Sequence, residues 1–119
     1  MKLTNRTKGV EVAANVRVAR TFWQRTRGLL GETGLAPGAA LWIQGTAIVP
    51  CNSIHTFFMR FAIDVVFVDR QLRVKKVFRD LGPWRMTMPA EGAFSVFELP
   101  AGALKSASVE VGDQLHVGD

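Results

Sequence analysis

Tyrosine is absent from the 119-residue chain, and cysteine occurs once, at Cys51. A lone cysteine excludes an intrachain disulfide and any zinc or iron–sulfur site built on several thiolates. It also fits a reducing compartment, with the cytoplasm as the expected location. No apolar run reaches the roughly 20 residues that a membrane-spanning helix needs, so no membrane partner is expected. The opening MKLTNRTKGVEV is polar and lacks the apolar stretch of a signal peptide. The metal-binding spacings HxH, HExxH and CxxC are missing, and neither a metal nor a cofactor is expected. Repeats, low-complexity tracts and linkers are missing too. Residues 1–119 therefore read as one domain, long enough to bury a single core.

What charge there is lies unevenly. The net charge is +5: residues 1–60 carry +6 and residues 61–119 carry −1. A basic front half would suit an anionic ligand, surface or nucleic acid, whereas the plainer reading is a set of solubilising surface arginines.

Short period-two segments dominate the pattern. Leu3 to Asn5 is extended, and Arg6 to Gly9 turns. Val10, Val12, Ala14, Val16 and Val18 then alternate with mostly polar neighbours, as a strand with one buried face does. Thr21 and Gln24 have capping-box spacing and Gly28 stands at a helix stop, which predicts a helix of about two turns with Arg20, Arg25 and Arg27 at its rim. Ala40 to Ile43 reads as a short strand. Ala62 to Val68 is apolar on both faces and belongs inside a sheet. Asp69 to Gln71 turns the chain into Leu72–Arg79, where Lys76 breaks the phase and predicts a β-bulge near Lys75–Lys76. After the loop at 81–93 come a strand at Phe94–Leu99, a helical turn through Ser106 and a final strand at Gln114–Val117. The sum is a mainly β fold: a compact β-sandwich or barrel-like domain of short antiparallel strands with two short helices.

The stretch PCNSIHTFFMRFAIDVVFVD (50–69) concentrates the chemistry. Asp64 shares a strand face with Val66 and Val68. A carboxylate there needs a partner, because burying it unpaired costs several kcal/mol. His55, Arg27 and nearby loop amides are the candidates. Cys51 and His55 suggest a thiolate–imidazole pair, with Asp64 orienting the imidazole. Four residues of extended chain span about 13 Å, however, so the two meet only if Asn52–Ile54 turn back. Phe57, Phe58, Met59 and Phe61 are core candidates that also flank His55 and Thr56. Trp84 and Met86 on the 81–93 loop could close over them or simply plug the sheet. Arg73, Lys75, Lys76 and Arg79, with Arg85, make a basic run. Phe78 is its one aromatic residue, which ranks nucleic acid low among the partners.

Several of these segments occur together in a known group. The chain resembles the uncharacterised prokaryotic family "domain of unknown function 192" through VARTFWQRTRGLLG (18–31), CNSIHTFFMRFAIDVVFVD (51–69), GPW (82–84), FELPAG (97–102) and VGD (111–113). Ala62 departs from it, since members often carry proline there. The resemblance implies a compact β-rich domain and supplies no reaction, substrate or cofactor.

The residues thus lead to an expectation of a small soluble domain that binds a small molecule or a protein in a cleft around His55. Loops 50–61 and 81–93 and the Arg20–Arg27 helix would form that cleft. His55, Thr56, Asp64, Arg27, Trp84 and Glu98 are the expected binding residues. A hydrolase or transferase using Cys51, His55 and Asp64 is the alternative, and a nucleic-acid-binding module is the third.

Overall fold

The computed structural model describes residues 1–19, 34–46, 50–56 and 59–119. It is a mainly β domain of short strands. β1 (Lys2–Asn5) and β2 (Val10–Ala13) form a hairpin across residues 6–9, where Gly9 takes φ +68° in the turn. β3 (Asn15–Ala19) and β4 (Ala39–Gln44) follow, then β5 (Ile63–Val68), β6 (Val74–Leu81) and β7 (Ser95–Pro100). A single-turn helix α1 (Ala103–Ser106) and β8 (Leu115–Gly118) complete the described elements. No helix among the described residues is long and apolar enough to cross a membrane.

The strands make two open sheets, ordered β2-β1-β8 and β3-β4-β7-β5-β6. This corrects the expected sandwich or barrel. In the larger sheet β3 and β6 are the edges, four strand spacings of about 4.8 Å apart, and no sheet closes among the described residues. The strands are not all antiparallel either. β3 runs parallel to β4, from Asn15 opposite Ala39 to Ala19 opposite Ile43. A parallel pair cannot be joined by a tight hairpin turn, unlike the antiparallel pairs expected from the sequence. One helix, α1, is present among the described residues rather than two; the helix expected at Thr21–Gly28 lies outside them.

The alternation from Val10 to Val18 does not make one strand. The chain breaks at Ala14 and passes from the small sheet to the large one. The buried residues are Ala13, Val16 and Ala19, while Val10 is exposed. The interior strand is where the pattern put it: all six residues of β5 are buried, between β7 and β6. Val66 and Val68 face one apolar cluster, shared with Leu3, Phe97, Leu104 and Leu115. Ile63, Val65 and Phe67 face a second, with Leu41, Met59 and Val96. Burial of each such side chain contributes roughly 1.5–3 kcal/mol. The expected bulge also forms: Phe67 opposes Lys76 and Val68 opposes Val74, which leaves Lys75 over.

Candidate functional site

Asp64 is wholly buried, and its partners are main-chain amides. Oδ1 accepts from Asp80 N at 2.8 Å; Oδ2 accepts from Gly102 N and Leu104 N at 3.0 Å each. A second irregularity between β5 and β6 makes the first bond possible. Ile63 opposes Leu81 and Val65 opposes Phe78, so two residues of β6 face Asp64 alone. Asp80 takes φ +56° there and presents its N–H to the carboxylate. Asp64 thus ties β6 and the start of α1 to β5. Of the partners considered for it, the amides hold it; Arg27 lies outside the described residues.

Residues 51–56 run antiparallel to the 84–94 segment and are held there by an irregular ladder. Cys51 N donates to Phe94 O, Ala90 N to Asn52 O, Thr87 N to Ile54 O, Thr56 N to Arg85 O and Trp84 N to Thr56 O, all between 2.7 and 3.0 Å. Thr87 Oγ1 accepts from Ile54 N at 3.0 Å. Gly45 permits this approach: a Cβ there would lie 2.7 Å from Phe94 O and 2.8 Å from both Cys51 N and Pro50 Cα. The extended run carries Cys51 and His55 apart, about 13 Å along the chain, with no turn at Asn52–Ile54 to bring them back. Cys51 is half-buried against the second apolar cluster.

Some side chains of this ladder are buried and others exposed. Thr56 and Thr87 point inward and are buried. The Thr56 hydroxyl donates to Gly82 O at 2.6 Å and accepts from Arg85 N at 2.8 Å, so it fastens two loops together. His55, Trp84, Met86 and Met88 point outward. Met86 is 67% exposed, Met88 79% and Trp84 57%. His55 stands directly opposite Met86 in an antiparallel bridge.

The 86–91 segment and the edge strand β6 enclose a groove of about 470 Å³. Phe78, Met86, Met88 and Pro89 give it an apolar lining, and Lys75, Lys76 and Glu91 supply its charge. It lies on the β6 side of the 81–93 loop, with Met86, the residue opposite His55, in its wall. Glu98 does not line it. That residue is buried on β7 between Leu41 of β4 and Val65 of β5. Met88 was not among the sequence candidates, although the Met-Thr-Met alternation carries the signal. Among the described residues, no three His, Cys, Asp or Glu side chains gather to hold a metal ion.

A separate polar cluster ties β1 to the turn before β8. Lys8 Nζ lies 2.8 Å from Asp113 Oδ2 and 3.0 Å from Glu110 Oε1, and Asn5 Nδ2 donates to the same Asp113 oxygen at 3.0 Å. Burial pushes the Asp113 carboxyl up. The hydrogen bonds from Lys8, Asn5 and Glu110 N outweigh burial and hold it below its ordinary value.

The chain is similar to several known proteins. The model of the DUF192 family, described as "Uncharacterized ACR", matches residues 3–117. A UPF0127 protein of Pyrococcus furiosus is 37% identical over 115 residues, spanning 96% of each chain. A protein of unknown function from Novosphingobium aromaticivorans superposes with a TM-score of 0.81 at 23% identity, over 98% of this chain and 82% of that one. A Sinorhizobium meliloti protein named as a candidate transcription regulator superposes with a TM-score of 0.75 at 18% identity, over 97% and 89%.

Proposed function

We propose a binding role for this chain, which belongs to the DUF192/UPF0127 family of uncharacterised prokaryotic proteins. Its ligand is a small amphiphilic anion, with an apolar body and one acidic group, taken in the groove between β6 and residues 86–91. The observation that carries this reading is the pairing of an apolar lining with Lys75 and Lys76 in a volume of about 470 Å³. Ligand pockets usually measure about 300–1,000 Å³ and combine apolar walls with a few placed charges. The lone cysteine fits a cytoplasmic setting.

Enzymatic chemistry by Cys51 and His55 finds less support, because an extended segment separates the two. Nucleic-acid binding is suggested by the description of the Sinorhizobium meliloti protein, but a likeness at that identity concerns the fold. Two of the five basic residues in the run are also engaged locally: the Arg73 guanidinium donates to Gly112 O and that of Arg79 to Val109 O.

Titration with 8-anilinonaphthalene sulfonate, an apolar sulfonate, tests the proposal. Saturable fluorescence enhancement on the folded chain, displaced by decanoate, is expected. Lys75→Glu/Lys76→Glu should weaken binding about tenfold, or about 1.4 kcal/mol. Unchanged affinity in that variant, with its circular dichroism native, overturns the proposal.

A further inference from the structure

We propose that His55, Met86 and Met88 form a surface site for a soft monovalent metal ion of the copper(I) class. Residues directly opposite in an antiparallel bridge carry Cβ atoms about 4.5–5.5 Å apart on one face, and diagonal neighbours lie about 7–8 Å apart, within reach of long side chains. His55 and Met86 are such an opposite pair. Thr87 is buried and bonded to Ile54 through both its main chain and its hydroxyl, which fixes the register. With Thr87 inward, Met86 and Met88 project to the side that His55 occupies.

Two thioethers and an imidazole are three soft or borderline neutral donors. Thioethers favour copper(I), whereas magnesium, calcium and manganese look for carboxylate and carbonyl oxygen. The charged groups of the adjoining groove are Lys75, Lys76 and Glu91, and two cations to one anion disfavour a divalent ion more than a monovalent one. A ligating imidazole gives one nitrogen to the metal and keeps the other for a hydrogen bond, so His55 need not be otherwise idle.

Packing does not account for these methionines. Two of the chain's four are among the most exposed large apolar side chains described, and burying them would have contributed roughly 1.5–3 kcal/mol each. Trp84, two residues before Met86 and exposed, supplies an optical signal.

The test uses silver(I), a redox-stable stand-in, added as the nitrate in chloride-free buffer to the full chain carrying Cys51→Ser, so that no thiol competes. We expect one ion per chain by calorimetry, with methyl resonances of Met86 and Met88 shifting and those of Met1 and Met59 staying put. Met86→Leu/Met88→Leu conserves volume and preserves the fold. It should lower affinity by more than about 100-fold, the upper end of what losing a mere supporting group costs. Failure of the Cys51→Ser chain to bind overturns the proposal; so does a double-leucine chain that binds as tightly, or zinc(II) binding tighter than silver(I). Lys75→Glu/Lys76→Glu separates this proposal from the groove's, since it should weaken the sulfonate without weakening silver(I).

Discussion

Removing the Asp64 carboxylate should be the most damaging single change in the five-stranded sheet. Asp64→Ala leaves three main-chain N–H groups without their acceptor: Asp80, Gly102 and Leu104. The bond to Leu104 is fully buried, and an unmet donor there costs about 1–3 kcal/mol. The other two bonds are partly buried, so water can recover some of their loss, at about 1 kcal/mol each. Together that is roughly 3–5 kcal/mol, a large share of the 5–15 kcal/mol typical of whole domains. No second mutation can compensate, because the partners belong to the main chain. Asp64→Asn keeps one carboxamide oxygen for Gly102 and Leu104 but turns an amino group toward Asp80 N–H, and should cost about 2 kcal/mol. Urea denaturation reads both variants from midpoints at constant m. Hydrogen exchange should also show Asp80, Gly102 and Leu104 losing protection first. An Asp64→Ala protein within about 1 kcal/mol of the parent would refute the reasoning, as would an asparagine variant less stable than the alanine one.

Gly45→Ala should destabilise by about 1–3 kcal/mol, since its Cβ meets only main-chain atoms that cannot swing aside, and should broaden amide signals of residues 50–56; an unchanged melting temperature would count against the packing described. The Lys8–Asp113 pair predicts a pH response on both flanks. The Asp113 carboxyl, held below its ordinary 3.8, stabilises the fold above that value and loses its contribution as pH falls through the depressed one. Hydrogen bonds to Asp113 and Glu110 raise Lys8 above its ordinary 10.5, so its contribution persists below 10.5 and fades as pH climbs past the raised value. Lys8→Met should make both flanks of the stability profile shallower, and an acid flank as steep as the parent's would exclude the pair as its source.

Local patterns showed single elements and missed how they join. β5 could be read because apolar residues on both faces demand cover on both sides. The bulge at Lys75 could be read because one extra residue inverts the alternation. The break at Ala14 could not, since alanines fit either face and period two continues through residues that change sheets. Closure of a sheet depends on which edge strands meet, and the parallel pairing of β3 with β4 is a long-range choice that no local alternation records.

At the candidate site the legible part was the buried carboxylate, and the illegible part was the surface. Main-chain amides belong to every residue, so which of them answer Asp64 follows only from the αL turn at Asp80 and the chain's entry into α1. The 81–93 loop, marked by Gly82, Pro83, Pro89 and Gly92, gave no sign of pairing with residues 51–56, yet its Trp-Arg-Met-Thr-Met run alternates. A slip of one residue in that ladder would carry Met86 and Met88 inward and expose Thr87. The buried hydroxyls of Thr56 and Thr87 resist the slip, because each would lose the main-chain partners it now holds. Two buried threonines therefore decide which methionines and which histidine the molecule presents.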